Sequence, residues 1–129
     1  MRPRVLLIED NEQNRYLATF LLERQGFTVI HAGDGPTGLD FAGRERFDLI
    51  LLDIQLPGMD GHAVARALRS TPTVPRVPIV AVTSYAMAGD RELIMTAGCD
   101  GYLEKPIDPA TFVTQISAYL GEHDQRTVP

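Results

Sequence analysis

The chain has one cysteine, Cys99, among its 129 residues. A single cysteine excludes an internal disulfide and a metal site built from several thiolates. No apolar run approaches the roughly 20 residues that a transmembrane helix needs. The basic start, "MRPR", leads into an apolar stretch too short for a signal peptide. These absences predict a cytoplasmic protein that does not bind membranes.

Basic residues are also in the minority, with 12 Lys and Arg against 17 Asp and Glu and a formal net charge of -5. A nucleic-acid surface needs a basic stripe, so this balance predicts no nucleic-acid partner. The length suits a single domain with a real hydrophobic core. We expect that domain to span residues 1–121 and to be followed by a polar C-terminal tail at 122–129.

Short apolar runs alternate with amphipathic stretches along the chain. Continuous apolar runs such as "VLLI" and "LILL" are typical of strands buried on both faces. Alternation of strands with helices predicts an α/β fold with an open, parallel, doubly wound sheet and five helices. The best strand order is the flavodoxin-like 2-1-3-4-5. The predicted strands are 4–8, 27–31, 47–53, 78–84 and 101–105.

Three helices carry specific expectations. Asp10 or Asn11 caps the first, which ends at Gly26 and should bury one face. The last should end at Gly121. In the fourth, three consecutive apolar side chains cannot all be buried, so at least one should be exposed. The expected buried face of the first helix is Leu17, Phe20 and Leu21. That of the last helix is Phe112, Ile116, Tyr119 and Leu120. The three consecutive apolar side chains of the fourth helix are Leu93, Ile94 and Met95.

Polar residues follow four of the predicted strands. In an open α/β sheet, ligands bind at the carboxyl ends of the strands, near the point where the strand order reverses. Strands one and three, adjacent at that point, supply three carboxylates, while strands four and five supply hydroxyls and an ammonium. The residues are Glu9 and Asp10, Asp53, Thr83 and Ser84, and Lys105 with Pro106.

Three clustered carboxylates repel one another, and one would be driven towards protonation unless a cation lay among them. Mg²⁺ prefers oxygen ligands, and the lack of His or Cys in the set favours it over zinc. Lys105 can pair with Asp53 at rest and with a phosphoryl oxygen later, and Thr83 can donate a hydrogen bond to the same group. The set therefore predicts phosphoryl transfer to Asp53.

Four sequence blocks contain these residues and their neighbours. In order, they are "IED" (8–10), "LLDIQLPGMDG" (51–61), "VTSYA" (82–86) and "GYLEKPID" (101–108). The blocks resemble the receiver domain of two-component response regulators, and the resemblance runs from Val5 to Leu120. Within that family, "TSYAMAGDRE" and "KPID" are similar to the single-domain, DivK-like regulators.

The resemblance implies that Asp53 accepts a phosphoryl group from a phosphohistidine on a histidine kinase or histidine phosphotransfer protein. It implies that Asp10 and Asp53 bind Mg²⁺ directly, that Glu9 acts through water, and that the Gln55 backbone carbonyl completes the protein ligands. Gln55 and Tyr85 stand where the family varies, and would gate the approach of water to the phosphoryl group.

The resemblance also implies a switch. Lys105 would bind the phosphoryl group, Thr83 would swing towards it, and Tyr102 would turn into the space that Thr83 leaves. Pro106 would follow a cis peptide bond, which proline makes accessible.

These movements would alter a surface formed by the fourth helix, fifth strand and fifth helix and bound by a downstream protein. The chain would be a monomer or a weak phosphorylation-dependent dimer. It would not be a conventional enzyme, because it would catalyse only its own phosphoryl transfer and slow autodephosphorylation.

Four alternatives differ in their requirements. The chain could be a receiver domain cut from a hybrid histidine kinase, or an interaction module that is never phosphorylated. A haloacid-dehalogenase-type phosphatase needs a second aspartate two positions after the nucleophile, where Gln55 stands. A flavin or dinucleotide binder needs a glycine-rich loop where this chain has "EDNEQN". The histidines indicate no metal site, because His31, His62 and His123 lack metal-ligand spacing.

Overall fold

The computed structural model describes residues 2–56, 60–84 and 88–124. Their five strands form one parallel sheet in the order β2-β1-β3-β4-β5, so the predicted 2-1-3-4-5 order is confirmed. The strands are β1 (Arg4–Ile8), β2 (Thr28–Ala32), β3 (Leu49–Asp53), β4 (Ile79–Thr83) and β5 (Gly101–Glu104).

Helices cover both faces of the sheet, as the crossovers between parallel strands require. Three of them pack on one face and the first and last pack on the other. They are α1 (Glu12–Arg24), α2 (Gly35–Arg44), α3 (Gly61–Ser70), α4 (Ala88–Thr96) and α5 (Phe112–Asp124). None of the helices in the described ranges is long and apolar enough to cross a membrane.

Strand β3 is buried along its whole length. Its side chains alternate between the two cores, so Ile50 and Leu52 face α2, α3 and α4, while Leu49 and Leu51 face α1 and α5. This double burial explains the unbroken apolar run, since neither face of the strand meets water.

The predicted buried face of α1 is wrong in part, because Leu21 packs against the core but the fully buried residues are others. The helix buries Ala18 and Leu22, while Leu17 and Leu21 are half-buried and Phe20 is 45% exposed. Apolar residues occur almost all round this helix, so its periodicity did not identify the face that meets the sheet.

The predicted burial and end of α5 need correction. Phe112, Ile116 and Leu120 are buried as expected, but Tyr119 is only half-buried. The predicted helix end at Gly121 is wrong, because α5 continues to Asp124. Glycine lowers helix propensity by about 1 kcal/mol without requiring a break. Residues 125–129 of the predicted polar tail lie outside the described residues.

Helix α4 shows the expected split among its three consecutive apolar side chains. Ile94 is 1% exposed, whereas Leu93 is 58% and Met95 46% exposed. One of the three therefore anchors the helix to the core, and two remain at the surface.

An ionic cluster lies at the amino-terminal edge of the sheet, away from the strand ends that carry the acidic residues. Arg69 donates through Nη2 to Asp100 Oδ2 (2.6 Å), through Nε to the Gly98 carbonyl (2.8 Å) and through Nη1 to the Val77 carbonyl (2.7 Å). The backbone N–H of Ile79 also donates to Asp100, over 2.8 Å. The cluster thus joins the end of α3 to the starts of β4 and β5.

Candidate functional site

Asp53 is the last residue of β3 and is 3% exposed. The hydrogen bond from the Ile54 N–H to the Val82 carbonyl (3.1 Å) continues the strand pairing beyond it. Gly61 allows α3 to start close by, since a Cβ on it would lie 2.4 Å from the Ile54 Cα. The end of β3 therefore holds the Asp53 carboxylate in a fixed place.

The acidic residues after β1 are fixed differently. Glu9 is buried, its N–H donates to the Ala32 carbonyl (3.0 Å), and its Oε2 accepts from the Asn11 N–H (3.1 Å). Of the two predicted caps, Asn11 is the one that caps α1, by accepting from the Asn14 N–H. Asp10 is exposed.

The structure brings the three predicted carboxylates together. One oxygen from each of Glu9, Asp10 and Asp53 lies within 4.8 Å of the other two. Carboxylate oxygens at this spacing, two of them buried, suit a hard divalent cation such as Mg²⁺. The donor set therefore fits the predicted cofactor.

Lys105 supplies the positive charge of the site. Its N–H donates to the Thr83 carbonyl (2.8 Å), which places the residue beside the end of β4. Its Nζ lies 3.1 Å from Asp53 Oδ1 and 3.7 Å from Glu9 Oε1. One ammonium does not balance three carboxylates, so the ionised cluster retains negative charge that a bound cation would offset.

Gln55 bridges two loops beside the acceptor. Its N–H donates to Asp53 Oδ1 (2.9 Å), and its side-chain Oε1 accepts from the Ser84 N–H (3.2 Å). The resemblance predicted that Gln55 contributes its backbone carbonyl to the cation site and helps to gate water, but the contact of its side chain with Ser84 was missed. Tyr85, predicted to gate water with Gln55, lies outside the described residues.

The predicted switch residues occupy neighbouring strands. Thr83 ends β4 and is 1% exposed, and it pairs with Glu104 of β5. Tyr102 is half-buried on the face that α4 covers, and the Arg91 guanidinium carbon lies 5.4 Å from its ring centroid. The peptide bond between Lys105 and Pro106 is cis.

Burial, a hydrogen bond with Asp53 and the negative charge of Asp53 raise the pKa of Glu9 from 4.5 to about 7. Folded Glu9 thus holds its proton more tightly than unfolded Glu9. Its contribution to the free energy of unfolding is greatest below about pH 4.5 and is lost as the pH rises through about 7.

We therefore expect Glu9→Gln to gain stability relative to the wild type between pH 5 and pH 8 when metal is removed with a chelator. Urea unfolding of both proteins at the two pH values measures this change. An identical pH dependence in both would show that Glu9 does not titrate in this interval.

Residues 5–117 match the response regulator receiver domain family, and the chain belongs to it. Receiver domains are signalling proteins of two-component systems rather than classical enzymes, and they bind Mg²⁺ at an acidic pocket. They interact in general with histidine kinases or phosphotransfer proteins and with downstream targets.

Among its relatives, the chain is similar to the polar-differentiation response regulator DivK of Brucella anthropi. The two are 42% identical over 118 residues, which cover 92% of this chain and 96% of the relative. DivK of Brucella ovis is 40% identical over 122 residues, covering 95% and 99%. The predicted resemblance to DivK-like regulators is confirmed.

Solved structures agree with this assignment. The chemotaxis protein CheY4 of Vibrio cholerae superposes with a TM-score of 0.87 at 27% identity, covering 92% of this chain and 99% of that one. The receiver domain of a sensor histidine kinase from Pseudomonas aeruginosa gives 0.85 at 36% identity, covering 94% and 99%. That structure has a magnesium ion coordinated in its active-site cleft.

His31 has a contact that the sequence analysis missed. Read from the sequence it is a strand-end histidine, but its Nε2 lies 2.9 Å from the Glu9 carbonyl oxygen. The available signal was its position near the end of β2, the strand beside β1. A side chain that contacts the main chain of a residue distant in the sequence leaves no motif.

Proposed function

We propose that the chain is a phosphorylation-dependent signalling switch in which Asp53 accepts a phosphoryl group from a phosphohistidine. The donor would be a histidine kinase or a histidine phosphotransfer protein. The observation that carries the proposal is the contact of Asp53, buried at a strand end, with Lys105 within a cluster of three carboxylates.

The residues of the site suit this transfer. A carboxylate oxygen of Asp53 forms a bond to phosphorus while the phosphorus–nitrogen bond of the phosphohistidine breaks, and the imidazole nitrogen keeps the electron pair. The Lys105 ammonium, already 3.1 Å from Asp53 Oδ1, balances charge on the transferred group. Positioning and charge neutralisation are the main catalytic requirements of phosphoryl transfer.

Asp10, Asp53 and the Gln55 backbone carbonyl would hold Mg²⁺ directly, with Glu9 acting through water. When bound, Mg²⁺ supplies charge neutralisation for the phosphoryl oxygens. The role of the chain is to set the carboxylate oxygens at the spacing seen here.

The signal would then reach the surface through the switch residues. The Thr83 hydroxyl would donate to the phosphoryl group, and Tyr102 would turn inward, away from its contact with Arg91. The altered surface is α4, β5 and α5, where Leu93 and Met95 are exposed. This is a shift between two populated states of one fold.

Several finer features belong to the same proposal. Asp53 would lose its phosphoryl group by slow autodephosphorylation, with Gln55 and Tyr85 controlling access of water. Phosphorylation would leave the chain monomeric or favour a weak dimer. The cytoplasmic location predicted from the sequence is part of the proposal.

One observation favours a second setting for the same chemistry. The 36% identity to the receiver domain of a Pseudomonas aeruginosa sensor histidine kinase is compatible with a receiver that works inside a larger kinase. The two settings share the acceptor and the cation, and differ in whether the phosphohistidine lies on the same protein.

Incubation with acetyl phosphate, followed by intact-mass measurement, tests the proposed function. We expect the protein to gain one phosphoryl group in the presence of Mg²⁺ and to gain none after the metal is chelated. Hydroxylamine attacks the acyl carbon of an acyl phosphate, so treatment with that reagent should remove the phosphoryl group and leave a hydroxamate in its place. No gain with Mg²⁺, either from acetyl phosphate or from a phosphorylated histidine phosphotransfer domain, would favour an interaction module that is never phosphorylated.

A further inference from the structure

Residues of β2 contact both the backbone N–H and the backbone carbonyl of Glu9. The pairing of β1 with β2 ends at Ile8 and Ala32, and one more backbone hydrogen bond follows, from the Glu9 N–H to the Ala32 carbonyl. The Glu9 carbonyl then lies 2.9 Å from Nε2 of His31. Beyond the last backbone hydrogen bond between the two strands, the side chain of His31 makes the next contact with the main chain that follows β1.

A second residue orients the imidazole. Arg15 of α1 lies with Nη1 3.4 Å from both ring nitrogens of His31. A carbonyl oxygen can only accept, so the contact with Glu9 requires a proton on Nε2. Because Nη1 of Arg15 is equally far from the two ring nitrogens, it lies over the face of the imidazole and packs against the ring. His31 therefore donates through Nε2 to the Glu9 carbonyl, while Arg15 restricts the orientation of the ring.

These contacts act on the acidic cluster through the main chain. The Glu9 carbonyl belongs to the peptide group that joins Glu9 to Asp10. Fixing the N–H and the carbonyl of Glu9 restricts both backbone dihedrals of that residue and the direction in which the next one leaves. The carboxylates of Glu9 and Asp10 are therefore oriented by a contact that neither side chain makes.

We propose that His31 is a positioning residue for the cation site, holding the Glu9–Asp10 peptide so that both carboxylates face Asp53. The inference rests on the proposed function, because it assumes that the cluster binds Mg²⁺. Groups that orient metal ligands commonly influence affinity although they do not touch the metal.

Calorimetric titration of the full chain with Mg²⁺ tests this role. Replacing His31 by phenylalanine keeps a planar ring and removes the donor, so we expect Mg²⁺ affinity to fall about tenfold, as loss of one hydrogen bond allows. Replacing His31 by glutamine retains an amide N–H near the position of Nε2 and should restore most of the affinity. Thr19→Ala, which alters the same cavity beside α1, should bind Mg²⁺ like the wild type.

The outcomes distinguish a failure of the proposed Mg²⁺ site from a failure of the proposed role of His31. A wild-type protein that does not bind Mg²⁺, or that binds it as well after Asp10→Asn, would contradict the cation site itself. If Asp10→Asn abolishes binding and His31→Phe leaves it unchanged, only the role of His31 is wrong.

A purely structural role makes a different prediction. Both His31 variants would then melt at a lower temperature, yet bind Mg²⁺ with wild-type affinity when folded. If His31→Phe fails to fold, Arg15→Met provides the test, because it removes the guanidinium that lies over the ring and should weaken Mg²⁺ binding about twofold to threefold. Unchanged affinity in Arg15→Met would then overturn the inference.

Discussion

Replacing Asp53 by asparagine is expected to abolish phosphoryl incorporation from acetyl phosphate in the presence of Mg²⁺. An amide has the shape of the carboxylate, but its oxygen lacks the negative charge of the nucleophile. The measurement is the intact mass of wild type and variant after the same incubation. The expected effect is complete loss, because Asp53 is buried at the end of β3 and its Oδ1 lies 3.1 Å from Lys105 Nζ.

Asp60→Asn provides the matched control. Asp60 caps α3 by accepting from the His62 N–H, a role that asparagine also fills well. This control should gain one phosphoryl group like the wild type. Incorporation into Asp53→Asn at the wild-type level would place the acceptor elsewhere.

Asp53→Asn should have a second measurable effect, on the pKa of Glu9. The hydrogen bond and the charge of Asp53 both help to raise the Glu9 pKa, after burial itself. Asparagine removes the charge, so the pKa of Glu9 should fall below about 7, which carboxylate NMR can follow in metal-free protein. Lys105 retains Glu9 as a partner, with Nζ and Oε1 3.7 Å apart, so the variant should remain folded.

Replacing Arg69 by methionine should destabilise the fold by about 3 kcal/mol, the effect of breaking a largely buried ion pair by removing one partner. Arg69 and Asp100 have side chains only 19% and 28% exposed. The variant also leaves the Gly98 and Val77 carbonyls without their guanidinium donor. The measurement is the free energy of unfolding in urea at neutral pH.

Arg76→Met is the control for this second prediction. Arg76 contacts the same carboxylate, with Nη2 3.0 Å from Asp100 Oδ1, but its side chain is 68% exposed. Exposed ion pairs contribute at most about 1 kcal/mol. Equal losses in the two arginine variants would contradict the distinction between them.

The cluster around Asp100 should also make the free energy of unfolding depend on pH in the acid range. Burial alone would raise the pKa of Asp100, but hydrogen bonds from Arg76 and Ile79 and the charges of Arg69 and Arg76 outweigh it and lower the pKa. The resulting stabilisation is present above the unfolded value of 3.8 and is lost as the pH falls through the lower folded value. Asp100→Asn should lack this part of the acid dependence.

The fold was predictable because its central strands are unbroken apolar runs with polar residues directly after them. That pattern identifies buried parallel strands and places Asp53 at the functional edge. The face of α1 was not predictable, because Phe20 and Leu22 are equally apolar and only the position of the sheet decides between them. Likewise, Gly121 stands where a helix end is common, yet α5 continues past it.

The contacts that could not be predicted from the sequence all join a side chain to a main-chain group. His31 contacts a main-chain carbonyl, Gln55 accepts from a backbone N–H, and Arg69 donates to two carbonyls. Every residue has such backbone groups, so the identity of the partner carries no information about the contact. Charged side chains that meet one another, as around Asp53, can be paired from the sequence once the strand order is known.

Helix α4 is anchored to the core largely through one buried side chain, and this has a consequence for which of its positions can change. Within residues 89–96, only Ile94 is buried. Substitutions at the other positions of this segment remove little buried apolar area and change fold stability little. The side chains that this helix presents to solvent can therefore change without loss of the sheet or of the acidic site.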